Sequence, residues 1–172
     1  MSRTTRKAAP KGKKVKIQVK NVTKRFGDLL VLDNVSFSVY ENEFVCICGP
    51  TGCGKTTLLN IIAGLIPATD SAPILIDGEP INPQRRNISF VFQEPSCLPW
   101  RNVHDNIKFG LEIKKAVLKQ SISENEVEEK VRRTINLVGL DEFEEYYPHQ
   151  ISGGMKQRVA IAQAFVTDPD LL

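Results

Sequence analysis

A glycine-rich stretch, GPTGCGKTT at residues 49–57, constrains this chain more than any other part of its sequence. It follows the pattern G-x-x-x-x-G-K-[ST], with an apolar run before it and a helix-forming run after it, as this motif requires. Its spaced glycines lack Cβ atoms, so the loop can curl with its N–H groups around phosphate oxygens. Lys55 adds a cation for the β and γ phosphates, and Thr56 offers a hydroxyl to Mg²⁺. The stretch therefore predicts a nucleotide phosphate site.

Two further features bear on the base of that nucleotide. Guanine would call for an Asn-Lys-x-Asp element, which the sequence lacks, so adenine is favoured. Phe26, in KRFGD, could present its ring to the base, since such stacking contributes about 1–3 kcal/mol in nucleic-acid systems. A packed loop aromatic is the alternative for Phe26. At Cys53 we expect only the backbone to be used.

A second candidate anion site lies at ISGGMKQR, residues 151–158. Ser152 can cap a helix, and Gly153 and Gly154 leave the N–H groups of the helix start approachable. Taken alone, this stretch also fits an ordinary helix cap.

With the first site upstream and VFQEPSCLPW between the two, the chain resembles the ATP-binding subunit of ATP-binding cassette (ABC) transporters over about residues 15–172. The glycine-rich stretch matches the family's Walker A motif, Gln93 its Q-loop, and ISGGM its signature, with Ile151 where Leu is usual. Two segments, VFQEPSCLPW and YPHQISGGM, are also similar to sequences of the nitrate/sulfonate/taurine importer branch, from which Cys97 departs.

The resemblance implies a role for each matching residue. Phe26 falls at the position of the adenine-stacking aromatic, and Gln93 would reach Mg²⁺ and the attacking water while its loop contacts the membrane subunit. Ser152 and the two glycines after it would hold the γ-phosphate bound by the other protomer of a head-to-tail dimer. The implied residues are, for ATP, Phe26, Gly49, Pro50, Thr51, Gly52, Cys53, Gly54, Lys55, Thr56 and Thr57; for the signature, Ser152, Gly153, Gly154, Met155 and Gln157; and for Mg²⁺, Thr56 and Gln93.

The resemblance also implies a fold class, cofactors and partners. The expected fold is an α/β P-loop NTPase with an antiparallel β subdomain and a helical subdomain at about residues 95–152. ATP and Mg²⁺ are the implied cofactors. The implied partners are a second ABC ATPase subunit in a homodimer, transmembrane permease subunits and, indirectly, a solute-binding protein. The chain is expected in the cytoplasm on the inner face of the membrane, with no nucleic-acid partner.

Hydrophobic periodicity predicts the individual elements. VKIQVKNV and VLDNVSFSVY alternate at period two and predict strands, and ILIDGEPI predicts a hairpin around Asp77-Gly78. EFVCICG and ISFVFQ are predicted as buried apolar strands, with Cys46 and Cys48 on one face as structural thiols. Helices are predicted from Lys55 to about Leu65, from Asn102 onward, and after Ser152; the apolar positions of the later ones are Val103, Ile107, Leu111, Val127, Val131, Ile135, Val138, Val159, Ala162 and Phe165.

Hydrolysis needs carboxylates that this chain does not display. In the family, four apolar residues lead to Asp-Glu, and Leu171 and Leu172 would be the first two of those four. We therefore expect a chain truncated before Walker B, without its C-terminal core strands, without catalytic residues and without ATPase activity of its own. Asp77 fits a turn better than a metal site, His149 precedes the signature, and His104 is expected at the surface.

Charge and hydropathy limit the remaining function classes. Residues 1–27 carry ten Lys or Arg and no acid, and residues 1–14 are predicted to be a disordered basic tail, with contact to nucleic acid or an anionic membrane as the alternative. The longest uncharged run, residues 56–69, is too short to cross a bilayer. A non-transport ABC protein or nucleotide-dependent regulator is the alternative function, and an unrelated P-loop kinase or GTPase would leave the signature unexplained.

Overall fold

The computed structural model describes residues 13–70, 73–81, 87–118 and 122–172. The chain divides into two units, residues 1–82 and residues 83–172. The predicted basic tail lies outside the described residues except for Lys13 and Lys14, so its disorder stays a prediction.

The first unit is built on an antiparallel sheet with the strand order β2-β1-β3-β4. Its strands are β1 (Val15–Phe26), β2 (Leu29–Tyr40), β3 (Leu75–Ile76) and β4 (Glu79–Pro80). The two long strands pair as a hairpin, which confirms the period-two prediction. Asp77 and Gly78 form the turn between the short strands with φ of 52° and 83°. The predicted Asp-Gly hairpin is therefore confirmed, and Asp77 belongs to a turn.

The helix of the first unit is α1 (Lys55–Ile62), which directly follows the glycine-rich stretch. It ends three residues before the predicted Leu65, because Gly64 adopts a left-handed φ of 72° that stops the helix. Apolar residues from the sheet, from α1 and, at position 74, from the segment before β3 are buried in this unit, namely Ile17, Val19, Val22, Leu32, Val39, Leu58, Ile61, Ile62, Ile74 and Ile76.

The prediction that EFVCICG forms a buried strand is wrong. Residues 43–50 have no strand assignment, Phe44 is 96% exposed, and the thiols of Cys46 and Cys48 lie at the surface 3.5 Å apart. An apolar run becomes a strand only when a neighbouring strand supplies hydrogen-bonding partners, and no strand among the described residues pairs with this run. Its apolar pattern alone could not show that.

The second unit is mainly helical. Its helices are α2 (Val103–Leu118), α3 (Glu124–Val138) and α4 (Gly153–Phe165), with short 3₁₀ turns at Asp141–Phe143 and Pro148–Gln150. The predicted apolar stripes of α2 and α3 are confirmed, since they share one core with α4; its fully buried members include Val103, Ile107, Leu111, Val131, Ile135 and Val159. Phe165, the last residue of α4, is instead 43% exposed.

The second apolar run, ISFVFQ, forms a single bridge rather than the predicted strand. Ile88 pairs in parallel with Leu171, and the Ser89 N–H donates to the Leu171 carbonyl oxygen at 2.9 Å. Phe92 is 49% exposed. Leu171 thus forms a strand-like contact, as its apolar character suggested, but this contact is limited to one residue pair. No helix among the described residues is long and apolar enough to span a membrane.

Candidate functional site

The glycine-rich loop takes its shape from two glycines with left-handed backbones. Gly52 has φ of 80° and Gly54 has φ of 91°, a region that side chains with a Cβ rarely adopt. Gly54 also touches β2 closely, because a Cβ added there would lie 2.9 Å from Leu32 Cδ2 and 3.1 Å from the Val31 carbonyl oxygen. The loop needs glycine at this position for both its conformation and its contact with the sheet.

The start of α1 leaves backbone donors available for an anion. Gly54 precedes the helix and no side chain caps it, while the N–H of Leu58 is the first to reach back, to the Gly54 carbonyl oxygen at 2.9 Å. The N–H groups of the first turn, at Lys55, Thr56 and Thr57, therefore have no acceptor within the helix. Such a helix start combines free N–H donors with the positive end of the helix dipole, which suits a phosphate.

The ammonium group of Lys55 lies folded onto the loop. Its Nζ donates to the carbonyl oxygens of Gly49 at 2.8 Å and Pro50 at 2.7 Å, and lies 3.7 Å from Cys53 Sγ. These acceptors are neutral carbonyls. Phosphate oxygens would form stronger, charge-assisted bonds with the same ammonium, so a phosphate can displace the two carbonyl oxygens.

Residues 49–57 therefore fit a nucleotide phosphate with its magnesium ion. Thr56 is exposed at the helix start, where its hydroxyl could serve as one Mg²⁺ ligand. Mg²⁺ usually keeps several waters and takes other ligands from substrate phosphates. No group of three or more His, Cys, Asp or Glu side chains suited to a metal occurs among the residues that the structure describes.

Phe26, the predicted adenine partner, is the last residue of β1 and is 53% exposed. The Lys24 ammonium lies 4.9 Å from the centre of its ring, which is within cation–π distance. A packed loop aromatic would be buried, so the exposure favours a ring that can receive a base. This assignment stays a prediction.

The signature stretch starts α4 with an exposed, uncrowded backbone. The N–H of Met155 donates to Ser152 Oγ at 3.3 Å, which confirms the predicted helix cap. A Cβ added at Gly153 or Gly154 would meet nothing within 4 Å, and both glycines are exposed. Gln157 is half-buried one turn further along. This end of α4 can be approached by a ligand.

The predicted residues are divided between the units. Phe26 and residues 49–57 belong to the first unit, and Gln93 and the signature residues belong to the second. Within the second unit, Gln93 is exposed in an irregular segment without regular secondary structure.

Both histidines of the chain, His104 and His149, contact neighbouring side chains in the second unit. His104, expected at the surface, is instead only 17% exposed in its side chain, and it contacts Asp105 at 3.3 Å and Glu128 at 3.0 Å. His149 stacks on Tyr147 with a ring-centre distance of 5.9 Å. Cys97 is half-buried, and burial raises the pKa of its thiol.

The sequence model of the family described as ABC transporter matches residues 32–172. The chain belongs to the ABC transporter family. Its fold class is therefore the α/β P-loop NTPase fold of ABC cassettes, as the sequence predicted, with an antiparallel sheet and helices.

Several relatives of this ABC transporter family member carry names. An uncharacterized ABC transporter ATP-binding protein of Methanocaldococcus jannaschii is 45% identical over 92% of the chain. The spermidine/putrescine import ATP-binding protein PotA of Thermotoga maritima is 42% identical over 91%, and the aliphatic sulfonates import ATP-binding protein SsuB of Bacillus cereus is 42% identical over 89%. The chain spans 58%, 41% and 57% of the lengths of these three relatives.

A solved structure resembles this ABC family member closely. It is the dimeric, post-hydrolysis state of the ATP-binding cassette MJ0796 bound to ADP and Pi, which is 32% identical with a TM-score of 0.76. The match covers 89% of this chain and 70% of that chain.

Sequence reasoning missed three residues of this ABC cassette that organise the second unit. Asn106 and Gly110 lie on α2 at the spacing of its apolar stripe, and Gln163 lies on α4. Asn106 is fully buried, and a Cβ added at Gly110 would lie 2.5 Å from the Gln163 carbonyl oxygen. A polar residue and a glycine on an apolar helix stripe were the available signal.

Proposed function

We propose that this chain is the ATP-binding component of an ABC importer, coupling ATP binding and hydrolysis to solute uptake. The observation that carries the proposal is the loop at residues 49–57, with its free helix-start donors and an ammonium held by two carbonyl oxygens and the Cys53 sulfur. Binding begins when the phosphates of ATP replace the Gly49 and Pro50 carbonyl oxygens on Lys55. The Thr56 hydroxyl would help to hold Mg²⁺, which would neutralise phosphate charge, and Phe26 would stack on adenine.

The second part of the proposal concerns the signature. Ser152, Gly153 and Gly154 would hold the γ-phosphate of the nucleotide bound by a second copy of the chain. Two observations support this: the exposed backbone at the start of α4 has room for an anion, and the solved relative is dimeric. One active pair would then contain two composite sites, each using the loop of one chain and the signature of the other.

The third part concerns the membrane partner. The exposed Gln93 would reach Mg²⁺ and the attacking water, and the segment around it would contact a transmembrane permease. The chain would therefore lie on the inner face of the membrane, with a solute-binding protein acting through the permease.

The solute class is the finest part of the proposal. Two observations favour the nitrate/sulfonate/taurine branch: the sequences of the segments VFQEPSCLPW and YPHQISGGM, and the relative named for sulfonate import. A relative named for spermidine/putrescine import has the same percentage of sequence identity to this chain, so sequence identity alone does not favour small anions as the solute.

The nucleotide step can be tested by titrating the purified protein with a fluorescent ATP analogue in the presence of Mg²⁺. We expect saturable binding that Lys55→Ala weakens by at least about tenfold, because a charge-assisted contact to phosphate is lost. Lys115→Ala, which removes an exposed ammonium from α2, should leave the affinity unchanged. Equal binding by Lys55→Ala and the wild type would contradict the proposal.

A further inference from the structure

Two thiols lie in contact just before the glycine-rich loop. Cys46 Sγ lies 3.5 Å from Cys48 Sγ, and both side chains are exposed. Both residues belong to the segment 43–50, which has no strand assignment, so no sheet ladder fixes the backbone between them. The fold therefore presents a pair of touching thiols to solvent, and core packing does not account for them.

The other two cysteines have different neighbours. The half-buried Cys97 donates its thiol hydrogen to the Lys156 carbonyl oxygen at 3.6 Å. Cys53 is exposed, and its sulfur lies 3.7 Å from the Lys55 ammonium nitrogen. Among the described residues, Cys46 and Cys48 are thus the pair in which one thiol contacts another.

The geometry of the pair is close to that of a cross-link. Cα atoms two residues apart are separated by at most about 7 Å, a distance that a disulfide can just span. The contact with Cys48 also raises the pKa of the Cys46 thiol above its ordinary value of 9.0, because a proton shared with a neighbouring sulfur is lost less readily. Cys46 therefore keeps its proton near neutral pH, and the two sulfurs lie together without charge repulsion.

We propose that Cys46 and Cys48 form a redox-sensitive modification site, at which a peroxide converts the two thiols into a disulfide and thereby weakens ATP binding by the adjacent loop. Solvent-accessible cysteines beside a second thiol are the ones that form such reversible cross-links. The site needs no other residue of the chain, since each thiol is the reaction partner of the other.

The reaction balances with hydrogen peroxide as the oxidant. The Cys48 sulfur takes one oxygen atom from the peroxide and becomes a sulfenic acid, while the other oxygen leaves as water. The Cys46 sulfur then bonds to the Cys48 sulfur, and the sulfenic hydroxyl leaves with the Cys46 proton as a second water. A disulfide this exposed is open to attack by a thiolate, so a dithiol returns both thiols and becomes a disulfide itself.

The effect on ATP follows from the position of the pair along the chain. Cys48 directly precedes Gly49, whose carbonyl oxygen accepts from Lys55 Nζ at 2.8 Å. When a phosphate takes over this ammonium, the backbone at Gly49 has to readjust. A ring closed over residues 46–48 restricts that readjustment. This effect rests on the proposed function, whereas formation of the disulfide does not.

The test treats the purified full chain with hydrogen peroxide and then blocks the remaining thiols with iodoacetamide. Trypsin releases residues 26–55 as one peptide with three of the four cysteines, and its fragmentation spectrum locates the blocked ones. We expect this peptide to lose two hydrogen atoms and to carry its single blocked thiol at Cys53. Dithiothreitol, added before the blocking step, should restore three blocked thiols.

The same samples are then titrated with the fluorescent ATP analogue in the presence of Mg²⁺. We expect peroxide to weaken binding by about fivefold or more and dithiothreitol to restore it. Cys48→Ser cannot form the cross-link, so its affinity should be the same before and after peroxide. Cys97→Ser is the matched control: it removes a thiol outside the pair and should respond to peroxide as the wild type does.

Three blocked thiols after peroxide, or a disulfide that includes Cys53, would overturn the modification site and leave the proposed function intact. A Cys46–Cys48 disulfide that leaves the affinity unchanged, or an equal loss of affinity in Cys48→Ser, would overturn its effect on ATP binding. A reduced protein that binds no ATP would overturn the proposed function and this effect with it, and the mass spectrum would still report on the disulfide.

Discussion

At the scale of single residues, the two glycine-containing candidate anion sites differ in how strictly their backbone requires glycine. Gly54 has a left-handed φ of 91° and touches the sheet, whereas a Cβ at Gly153 would enter open space. The first glycine is therefore required by the fold, and the second leaves the helix start accessible. Stability measurements can separate these two roles.

We predict that Gly54→Ala lowers the free energy of unfolding by about 1–3 kcal/mol, because the new methyl group combines an unfavourable φ with contacts of 2.9 Å and 3.1 Å. Gly153→Ala should leave that free energy within about 1 kcal/mol of the wild type. Urea denaturation of both variants provides the comparison, and an unaffected Gly54→Ala variant would show that the loop conformation is wrong.

At the scale of elements, charged groups join α2 and α3 beside their shared core. Lys108 Nζ lies 2.8 Å from Glu124 and 2.7 Å from Glu128, and His104 also contacts Glu128. Hydrogen bonds from Lys108 hold the pKa values of both carboxyl groups below their ordinary value of 4.5, and their bonds raise the pKa of Lys108 above 10.5.

The pKa directions fix the pH range in which this network stabilises the unit. The carboxylates contribute stability above about pH 4.5, and this contribution is lost as the pH falls through their lowered folded-state pKa values. The Lys108 contribution is complete below about pH 10.5 and is lost as the pH rises through its raised folded-state value. The network is fully effective between these limits.

We predict that Lys108→Met lowers the free energy of unfolding at pH 7 by about 1 kcal/mol or less, because partly exposed ion pairs contribute little. The difference from the wild type should shrink as the pH falls below about 4.5, since the carboxylates become protonated. Lys115→Met is the control on the same helix and should have a smaller effect, because Lys115 lowers the pKa of Glu124 less than Lys108 does. Denaturation curves from pH 3 to pH 8 would contradict the prediction if the difference were independent of pH.

At the scale of the whole molecule, each of the two units buries apolar residues of its own. Val22 is fully buried in the sheet of the first unit, and Ile135 is fully buried among the helices of the second. Each core is assembled from residues of its own unit. Damage to one core should therefore be detected first in that unit.

We predict that Ile135→Ala destabilises the helical unit by about 2–5 kcal/mol through the cavity it leaves. Amide hydrogen exchange should accelerate in α2–α4 while the β1 amides keep most of their protection. Val22→Ala should give the opposite pattern. Uniform acceleration throughout the chain in both variants would show that the units unfold together.

The sequence by itself determined the features that depend on neighbours along the chain. The glycine-rich loop, the Asp-Gly hairpin, the long β hairpin and the caps and apolar stripes of the helices all follow from local spacing and backbone preference. The ISGGM motif likewise indicated the family to which the chain belongs. Roles in ATP binding remain predictions, because local spacing does not report a bound ligand.

Only the tertiary structure decided which apolar runs found partners and which polar residues were buried. EFVCICG has the pattern of a buried strand, yet no strand among the described residues pairs with it and all of its residues except Ile47 are exposed, because strand formation depends on a distant neighbour. Asn106 looked like one more helix residue until its contacts with Leu98–Asn102 and Gln163 came together. Hydrogen bonds across 57 residues depend on packing in three dimensions, which no local pattern contains.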